Sequence, residues 1–512
     1  MSIRRRYSFA LLSFFLAASF FPSAAAQDRP IPRGQDIANI QSPRTQARLW
    51  NEWLAWRLEN ILPEIMRREH IDLWLVINRE YNEDPVYLTL VPASSFSARR
   101  TSILVFHDLG PGQGVERLSA SFFGAREWYK PAWKDKKILQ FENLARLIKE
   151  IDPRRIGIDV APDWAFGDGL SASLKERLIS ALGPELSSRL VSAERLCLGW
   201  LERRSPQELS LYRHISGVGH DLIAEFFSNR VIIPDVTSTE DVEWWIRLRI
   251  AQLGLETWFS PSIDIIRNTK AEVRTADRTI IRRGDILHCD VGLKYCGLCT
   301  DMQWHAYVLR TGEADAPDGL KEALLRARGT AEIFMAEFQA GRTGFEIQAA
   351  AMAKAKAAGL RPLLYSHPLG FHGHAAGCIM EARPPEQAPE GSRVQMEYPL
   401  YPDTVYAIEF SSTTSVPEWG GQDVAISYEE TAAFTAEGCR FLDGCQTAFL
   451  LMRCEQRPGG PSPTGSVIFR TGQGIIFAAV RRTIRGGQGE ASGVAHSQLF
   501  VLCRGRGGGV LS

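Results

Sequence analysis

The sequence predicts an α+β protein, with an α/β domain at residues 45–204 followed by a domain of two similar halves at 205–453. Two observations predict this arrangement: helix and strand signals alternate in the first region, and capped helices followed by strands recur in the second. The composition, 45% apolar and 23% charged over 512 residues, is that of an ordinary globular protein. It excludes a mostly disordered chain, a collagen-like chain and a polytopic membrane protein.

The N-terminus has the features of a secretory signal peptide. Three arginines at 4–6 precede an uncharged stretch at 7–21, and small residues follow at 23–26. The uncharged stretch is shorter than the ~20 residues that span a bilayer, and a short membrane anchor is the alternative interpretation. We therefore predict a signal peptide at 1–26, export to the periplasm or the medium, and a flexible Pro-rich leader at 27–44.

Charge and cysteine content restrict the classes of partner and site. Lys and Arg number 59 and Asp and Glu number 59, so the neutral chain gives no global reason to expect a nucleic-acid partner. The nine cysteines are an odd number, so at least one is unpaired or bonded to another chain. Cys296 and Cys299 form a lone C-x-x-C motif with no second pair at zinc-finger spacing, which is a weak indication of a metal or redox site.

In the first domain, helical and apolar strand-like segments follow one another as in an α/β unit. The predicted elements are a helix at 50–68, strands at 71–77 and 102–106, a helix at 143–151 and a strand at 155–160. The helices are expected to cover the sheet that the strands form.

In the second domain, three capping boxes predict helix starts. Each has a Ser or Thr three residues before a Glu, so that side chains and backbone satisfy each other's unpaired groups. The boxes are Ser205 to Glu208, Thr237 to Glu240 and Thr343 to Glu346. Strand-like segments ending in Asp290 and Asp301 follow the second box, and segments ending in Glu409 and Glu429 follow the third. On this pattern we predict two pseudo-equivalent halves whose acidic pairs meet between them.

The C-terminal segment, 454–512, differs in composition from the rest of the chain. A strand at 447–452 is expected to close the domain before it, and the segment itself holds 13 of the chain's 43 glycines. Because such a Gly- and Arg-rich composition cannot bury a core, we predict that the segment is disordered. Residues appended by a shifted reading frame are the alternative explanation of this composition.

Five side chains stand in apolar or aromatic surroundings, where a charge is costly unless it is paired or metal-bound. They are Asp290, Asp301, His367, Glu409 and Glu429. Four carboxylates in one dry pocket would repel one another and could not all ionise, but two divalent cations would offset them. Oxygen-rich ligands with a single imidazole suit Mn, Co, Fe or catalytic Zn.

These residues give the chain its resemblance to a known family. Residues 205–453 resemble the pita-bread fold of the M24 metallopeptidases, which include Xaa-Pro aminopeptidases, prolidases, methionine aminopeptidases and creatinase. The family's ligands occur in the order Asp, Asp, His, Glu, Glu, and the five residues above follow that order. Residues 45–204 resemble the creatinase-type N-terminal domain, so the similarity covers most of 45–453.

The resemblance implies a role for each ligand. Asp290 would bind one metal, His367 and Glu409 the other, and Asp301 and Glu429 would bridge them. Two metals about 3.5–4 Å apart would hold a bridging water and lower its pKa towards neutrality.

Catalytic and substrate-binding residues also follow from the resemblance. Glu409 is the candidate to carry a proton from water to the leaving amine. His374 lies seven residues after His367, where the family has a second histidine, and it would stabilise the tetrahedral intermediate. His372 and Arg274 are candidate substrate-binding residues. A solvated loop histidine is the alternative for His372, and a surface salt bridge is the alternative for Arg274.

The sequence departs from the family pattern around the ligands. The usual D-x-T-R-T run reads Asp301-Met-Gln-Trp-His305, and Arg274 stands near the place of a common family histidine. Pro368 replaces the usual Gly, and Ala375 replaces the usual acid. By strand parity His288 could line the site with Asp290, and His305 with Asp301, although ordinary sheet histidines are the alternative.

The expected function is that of an exported dinuclear metal-dependent aminopeptidase, most similar to Xaa-Pro aminopeptidases. The resemblance implies a peptide substrate, two divalent metal ions such as manganese, and a possible homodimer. No nucleic-acid partner and no membrane anchor after signal cleavage are expected. Two alternatives are a creatinase-like C–N hydrolase and a non-catalytic binding module on the same fold, as in some histone chaperones.

Overall fold

A computed structural model describes most of the chain. The described residues are 34–123, 127–268, 279–383, 387–388, 390–453, 465–471 and 474–480. The chain divides into two compact units, Met1–Arg453 and Cys454–Ser512. The predicted signal peptide and Arg274 lie outside the described residues.

A mixed six-stranded sheet forms the centre of the first domain, in the order β4-β3-β2-β1-β5-β6. Its strands are β1 (Leu73–Arg79), β2 (Thr101–Asp108), β3 (Val115–Ser119), β4 (Lys130–Pro131), β5 (Ile156–Ile158) and β6 (Leu190–Ser192). Its helices are α1 (Pro43–Arg68), α2 (Gln140–Ile151), α3 (Ala172–Ser187) and α4 (Glu194–Glu202). β1 runs antiparallel to β2 and parallel to β5.

The continuous apolar run of β1 follows from burial on both faces of the sheet. Side chains alternate along a strand, so Trp74 and Val76 join one core cluster with α1, while Leu73, Leu75 and Ile77 join another with α2 and α3. Helices therefore cover both faces, as expected for an α/β unit.

Asp221 of the second domain binds the residues that precede α1. The backbone N–H groups of Gly34, Asp36 and Ile37 donate to Asp221 at 2.7, 2.8 and 3.0 Å. α1 itself begins at Pro43, after the N-cap Ser42. The described part of the predicted leader, 34–44, therefore includes these contacts and the first residues of the helix.

An eight-stranded sheet forms the second domain, with the path β13-β14-β15-β12-β9-β8 and with β16 on β15 and β17 on β12. Its strands are β8 (Ser262–Ile266), β9 (Ile286–Val291), β12 (Met302–Val308), β13 (Pro362–Leu369), β14 (Thr404–Val416), β15 (Gln422–Thr435), β16 (Gly438–Phe441) and β17 (Leu450–Met452). A smaller sheet contains β7 (Glu256–Thr257), β10 (Leu293–Tyr295) and β11 (Leu298–Cys299).

The order of elements in this domain is the same in its two halves. Helices α5 (Pro206–Phe226) and α6 (Thr239–Gln252) precede β8, β9 and β12, and helices α7 (Asp318–Met335) and α8 (Gly344–Ala357) precede β13, β14 and β15. A short helix, α9 (Glu390–Glu397), lies between β13 and β14. The two sets of three antiparallel strands meet where β12 pairs with β15. The predicted α+β fold with pseudo-twofold halves is confirmed.

Two of the three predicted capping boxes are confirmed, and one is shifted by a residue. Ser205 and Thr343 cap α5 and α8 as predicted. At α6 the box joins Ser238 and Asp241, not Thr237 and Glu240. The Thr237 hydroxyl instead accepts from the N–H of Ile233 at 2.9 Å, which leaves the N-cap position to Ser238.

Replacing Ser238 by alanine tests this shifted box. The hydroxyl accepts from the N–H of Asp241 at 3.2 Å, so the change is expected to destabilise the protein by about 1 kcal/mol. Ser171→Ala is the matched control, because Ser171 precedes α3 without a side-chain cap hydrogen bond. Denaturant unfolding compares the two variants, and equal losses of stability would contradict the assignment.

The second unit contains a hairpin within the segment that we predict to be disordered. Its strands, β18 (Gly465–Thr471) and β19 (Gly474–Val480), pair antiparallel. Across the described residues, no helix is long and apolar enough to cross a membrane.

Candidate metal centre

Four polar side chains form a row across the middle of the eight-stranded sheet. Asp290 on β9 pairs with Gln303 on β12, Gln303 pairs with Glu429 on β15, and Glu429 pairs with Glu409 on β14. Directly opposed residues point to the same face of a sheet. The row therefore brings three of the predicted ligands together at the junction of the two halves.

The other two predicted ligands lie beside this row. Asp301 immediately precedes β12, and His367 lies on β13, next to β14. His367 Nε2 is 3.5 Å from Asp301 Oδ2 and 3.9 Å from Glu429 Oε1. Ligand atoms of Asp301, His367 and Glu429 all lie within 4.8 Å of one another, and all three residues are buried. This geometry can hold a metal ion.

Two buried oxygens of the site support the presence of a cation. Among the described residues, Asp290 Oδ1 and Glu429 Oε1 have no hydrogen-bond partner. A buried acceptor without a partner is costly, and a cation can supply the missing partner to these carboxylate oxygens. The residues therefore fit a divalent metal.

The electrostatics of the carboxyl groups lead to the same conclusion. Burial raises the pKa of Asp290 to about 7, with a contribution from Asp301, and burial likewise raises the pKa of Asp301 to about 7. Burial and the neighbouring aspartates outweigh His367 and raise the pKa of Glu409 to about 7. The pKa of Glu429 lies well above its usual value for the same reasons. Positive charge at the centre would reverse these shifts.

Two histidines beside the carboxylates are neutral. Burial lowers the pKa of His367, and burial together with His367 lowers the pKa of His374 to about 4. The two rings meet edge to face with centroids 4.5 Å apart. A neutral imidazole is the form that binds metals, so His367 is in the correct state for a ligand.

Comparison with known proteins agrees with the fold of this domain. Residues 210–436 match the profile of metallopeptidase family M24. This segment belongs to family M24. An X-Pro aminopeptidase from Thermotoga maritima MSB8 has a similar structure, with TM-score 0.53 and 17% identity over 76% of this chain and 99% of that chain. An Xaa-Pro dipeptidase from Bacillus anthracis gives TM-score 0.48 and 16% identity over 79% and 99%. No curated protein sequence matches the chain.

The structure describes one of the two predicted substrate-binding residues. The ring of His372 is 5.0 Å from that of Phe166, in the first domain. Burial, with Lys294 and Arg204 nearby, lowers the pKa of His372 to about 4. Arg274 lies outside the described residues, so the structure does not place it.

The two sheet histidines differ in their contacts. His288 Nε2 lies 2.9 Å from Gln303 Oε1, and His288 Nδ1 lies 3.3 Å from Asp264 Oδ2. His305 is fully buried, and burial holds its pKa well below the usual value. His288 therefore reaches the ligand row through Gln303, whereas the backbone of His305 is bonded to Gln446.

Cys296 and Cys299 lie in the hairpin of β10 and β11. Cys296 and Gly297 form the two-residue turn between β10 and β11, with φ of 51° and 72°, as a hairpin of this length requires. The Cys299 thiol contacts the carbonyl of Phe371 at 3.7 Å. No disulfide links the seven cysteines that the structure describes.

Two residues of the site were not predicted from the sequence. Gln303 shares the strand parity of Asp301, which could have placed it on the ligand face. Trp258 lies between the ligands and the loop after β13: its ring is 5.2 Å from that of His374, and it packs so closely on Gly373 that a Cβ there would lie 2.0 Å from the indole. No local pattern indicates this contact.

Proposed function

We propose that the protein is an exported, metal-dependent aminopeptidase of the Xaa-Pro type that holds two divalent cations. The observation that carries the proposal is the convergence of Asp301, His367 and Glu429, with Asp290 and Glu409 in the same row, inside an M24 domain. Manganese, cobalt, iron and zinc all suit this donor set. The Thermotoga maritima protein of similar fold is named an X-Pro aminopeptidase. On that basis we propose a peptide substrate in which proline follows the N-terminal residue.

The bound cations and the carboxyl group of Glu409 would have different roles in the reaction. Bound divalent cations would activate a water near neutral pH and polarise the scissile carbonyl. Glu409 supplies the carboxylate that we propose carries a proton from the attacking water to the leaving amine. Its Oε1 accepts from Gln303 Nε2 at 3.0 Å, so one oxygen is fixed in position.

His374 is proposed to stabilise the tetrahedral intermediate. It is exposed at the edge of the site while its ring contacts His367 and Trp258. With a pKa of about 4 it is neutral at pH 7 and offers an N–H rather than a charge.

Replacing His374 by alanine is expected to lower kcat about 10²-fold or more, because one donor to the developing oxyanion is lost. Metal content should stay at the wild-type value. His372→Ala is the comparison, and it is expected to raise KM with a smaller effect on kcat. Steady-state kinetics with metal analysis distinguish the two changes, and an unaltered kcat in His374→Ala would contradict the assignment.

A peptide assay tests the proposed activity. The full chain is stripped of metal, loaded separately with Mn, Co, Fe or Zn, and given matched Xaa-Pro and Xaa-Ala peptides. Release of the first residue from the prolyl peptides, abolished by a chelator, is the expected result. Absence of turnover with every loaded metal would overturn the proposal.

Export and assembly are proposed on the sequence. The predicted signal peptide leads us to propose a mature chain that begins near residue 27 and has no membrane anchor. We further propose that this chain forms a homodimer. N-terminal sequencing of the exported fraction tests the cleavage, and light scattering tests the dimer. Full-length chain confined to the cytoplasm would contradict the proposed export.

A further inference from the structure

The indole of Trp258 contacts three segments of the M24 domain beside the candidate metal centre. Its Nε1–H donates to the carbonyl of Thr300 at 2.9 Å, and Thr300 directly precedes the predicted ligand Asp301. The indole also packs on Gly292 and Gly373, where a Cβ would collide with it. One hydrogen bond and two glycine backbones therefore fix the ring in position.

The ring of His374 lies against this indole. The two ring centroids are 5.2 Å apart and the planes meet at 71°, which is the edge-to-face arrangement that aromatic pairs favour. His367 contacts both rings, with its centroid 4.5 Å from that of His374 and 6.3 Å from that of Trp258. Because His374 is exposed to solvent, these ring contacts restrict a side chain that would otherwise change rotamer freely.

Trp258 offers no group that could transfer a proton in the proposed reaction. An indole has a single donor, its N–H, and no acceptor. In Trp258 that donor is bound to the carbonyl of Thr300. An influence of Trp258 on the reaction would therefore be exerted through the metal ligands, through contact with the substrate or through His374. Metal content, KM and kcat report these three effects separately.

We propose that Trp258 is a positioning residue that holds the His374 imidazole where its N–H meets the developing oxyanion. The indole is fixed to the backbone and keeps the exposed ring of His374 beside His367. Misplacement of a reacting group by about 1 Å can cost about 10²-fold in rate, so this contact matters even without contact between Trp258 and the reacting atoms. The inference rests on the proposed function, in which His374 stabilises the tetrahedral intermediate.

A double-mutant cycle measured by steady-state kinetics tests the positioning. In the full chain, loaded with the metal that supports turnover, Trp258→Ala is expected to lower kcat about tenfold or more, with KM and metal content as in the wild type. In the His374→Ala background the same change should lower kcat less than about twofold, because no imidazole remains to be positioned. Trp133→Ala is the matched control and should leave kcat unchanged: in the first domain, the Trp133 indole N–H donates to the carbonyl of Ile138 at the same distance, 2.9 Å.

Nuclear magnetic resonance of the metal-free full chain, with isotope-labelled histidine, gives a readout that does not depend on catalysis. The signals missing from His374→Ala identify His374. The ring current of the indole should displace these signals in the wild type and in Trp133→Ala, but not in Trp258→Ala. Trp258→Leu, which keeps apolar volume, replaces Trp258→Ala in both measurements if circular dichroism shows that Trp258→Ala is unfolded.

The outcomes separate the positioning from the proposed function. Equal losses of kcat from Trp258→Ala in the two backgrounds, or His374 signals that this change leaves in place, would overturn the positioning. A loss of bound metal or a raised KM with kcat unchanged would also overturn it, because Trp258 would then act on the ligands or on the substrate. A wild type without turnover, whose His374 signals move in Trp258→Ala, would instead overturn the proposed function.

Discussion

Replacing Asp301 by alanine is expected to abolish tight metal binding and to lower kcat/KM at least about 10³-fold. Asp301 lies with His367 and Glu429 in the group whose ligand atoms are mutually within 4.8 Å, and it is buried, so no solvent-exposed group can replace it. Loss of Lewis-acid chemistry accounts for several kcal/mol of transition-state stabilisation, which corresponds to this factor. Kinetics and metal analysis on the same preparation provide the measurement.

The same substitution is expected to have the opposite effect on the metal-free protein. Burial raises the pKa of Asp301 to about 7, above its ordinary value of about 3.8. A raised pKa means that stability is fully present below the ordinary pKa and is lost as pH rises through about 7. At pH 8 the wild type therefore holds a repelling charge that Asp301→Ala removes.

Unfolding curves with and without metal test both effects. In chelator at pH 8, Asp301→Ala should be at least as stable as the wild type, whereas added Mn²⁺ should raise the Tm of the wild type alone. Asp423→Ala is the control, because Asp423 is exposed, is paired with Arg361, and lies near the start of β15, away from Glu429. A metal-dependent rise in Tm for Asp301→Ala equal to that of the wild type would contradict its role as a ligand.

Three of the predicted ligands were accessible to sequence reasoning because each is a carboxylate within an otherwise apolar strand. Asp290, Glu409 and Glu429 interrupt runs of buried side chains, and such a pattern needs a physical reason. The order of the five residues then identified the family. The apolar segments of the sequence also located strands. In β1, for example, the apolar side chains face two separate core clusters.

Contacts between distant strands were not accessible in this way. β9 and β12 pair antiparallel in the main sheet, but the chain leaves that sheet between them to form β10 and β11. The pairing of Gln303 with both Asp290 and Glu429 depends on the register of β12 with two neighbours, which no local pattern fixes. The position of Trp258 over Gly373 is likewise a product of tertiary packing.

A second buried polar cluster was missed for the same reason. His220 on α5 lies between Glu430 on β15 and Asp443, with Nε2 2.9 Å from Glu430 Oε2 and Nδ1 3.2 Å from Asp443 Oδ2. Glu430 also accepts from Trp304 Nε1 at 2.7 Å and from the N–H of Gln446 at 3.0 Å. Since side chains alternate along β15, Glu429 reaches the metal centre while Glu430 reaches this cluster on the other face.

Replacing His220 by alanine is expected to destabilise the protein by about 3–5 kcal/mol at neutral pH, because two buried carboxylates lose their shared cation. Burial opposes the charge on His220, but Glu430 and Asp443 outweigh it and raise its pKa to about 10. Only the protonated ring can donate from both nitrogens. Trp304→Phe is the control: it removes one hydrogen bond to the charged Glu430 and should cost about 1.5–3 kcal/mol.

The pH dependence of this difference identifies the charged state of His220. A pKa raised from about 6.5 to about 10 gives stability that is fully present below pH 6.5 and is lost as pH rises through about 10. Denaturant unfolding of the wild type and His220→Ala, both in chelator, should therefore differ most near pH 6.5 and converge towards pH 10. A difference in stability that stayed constant over this range would show that His220 acts through packing rather than through its charge, because the volume of the ring does not change with pH.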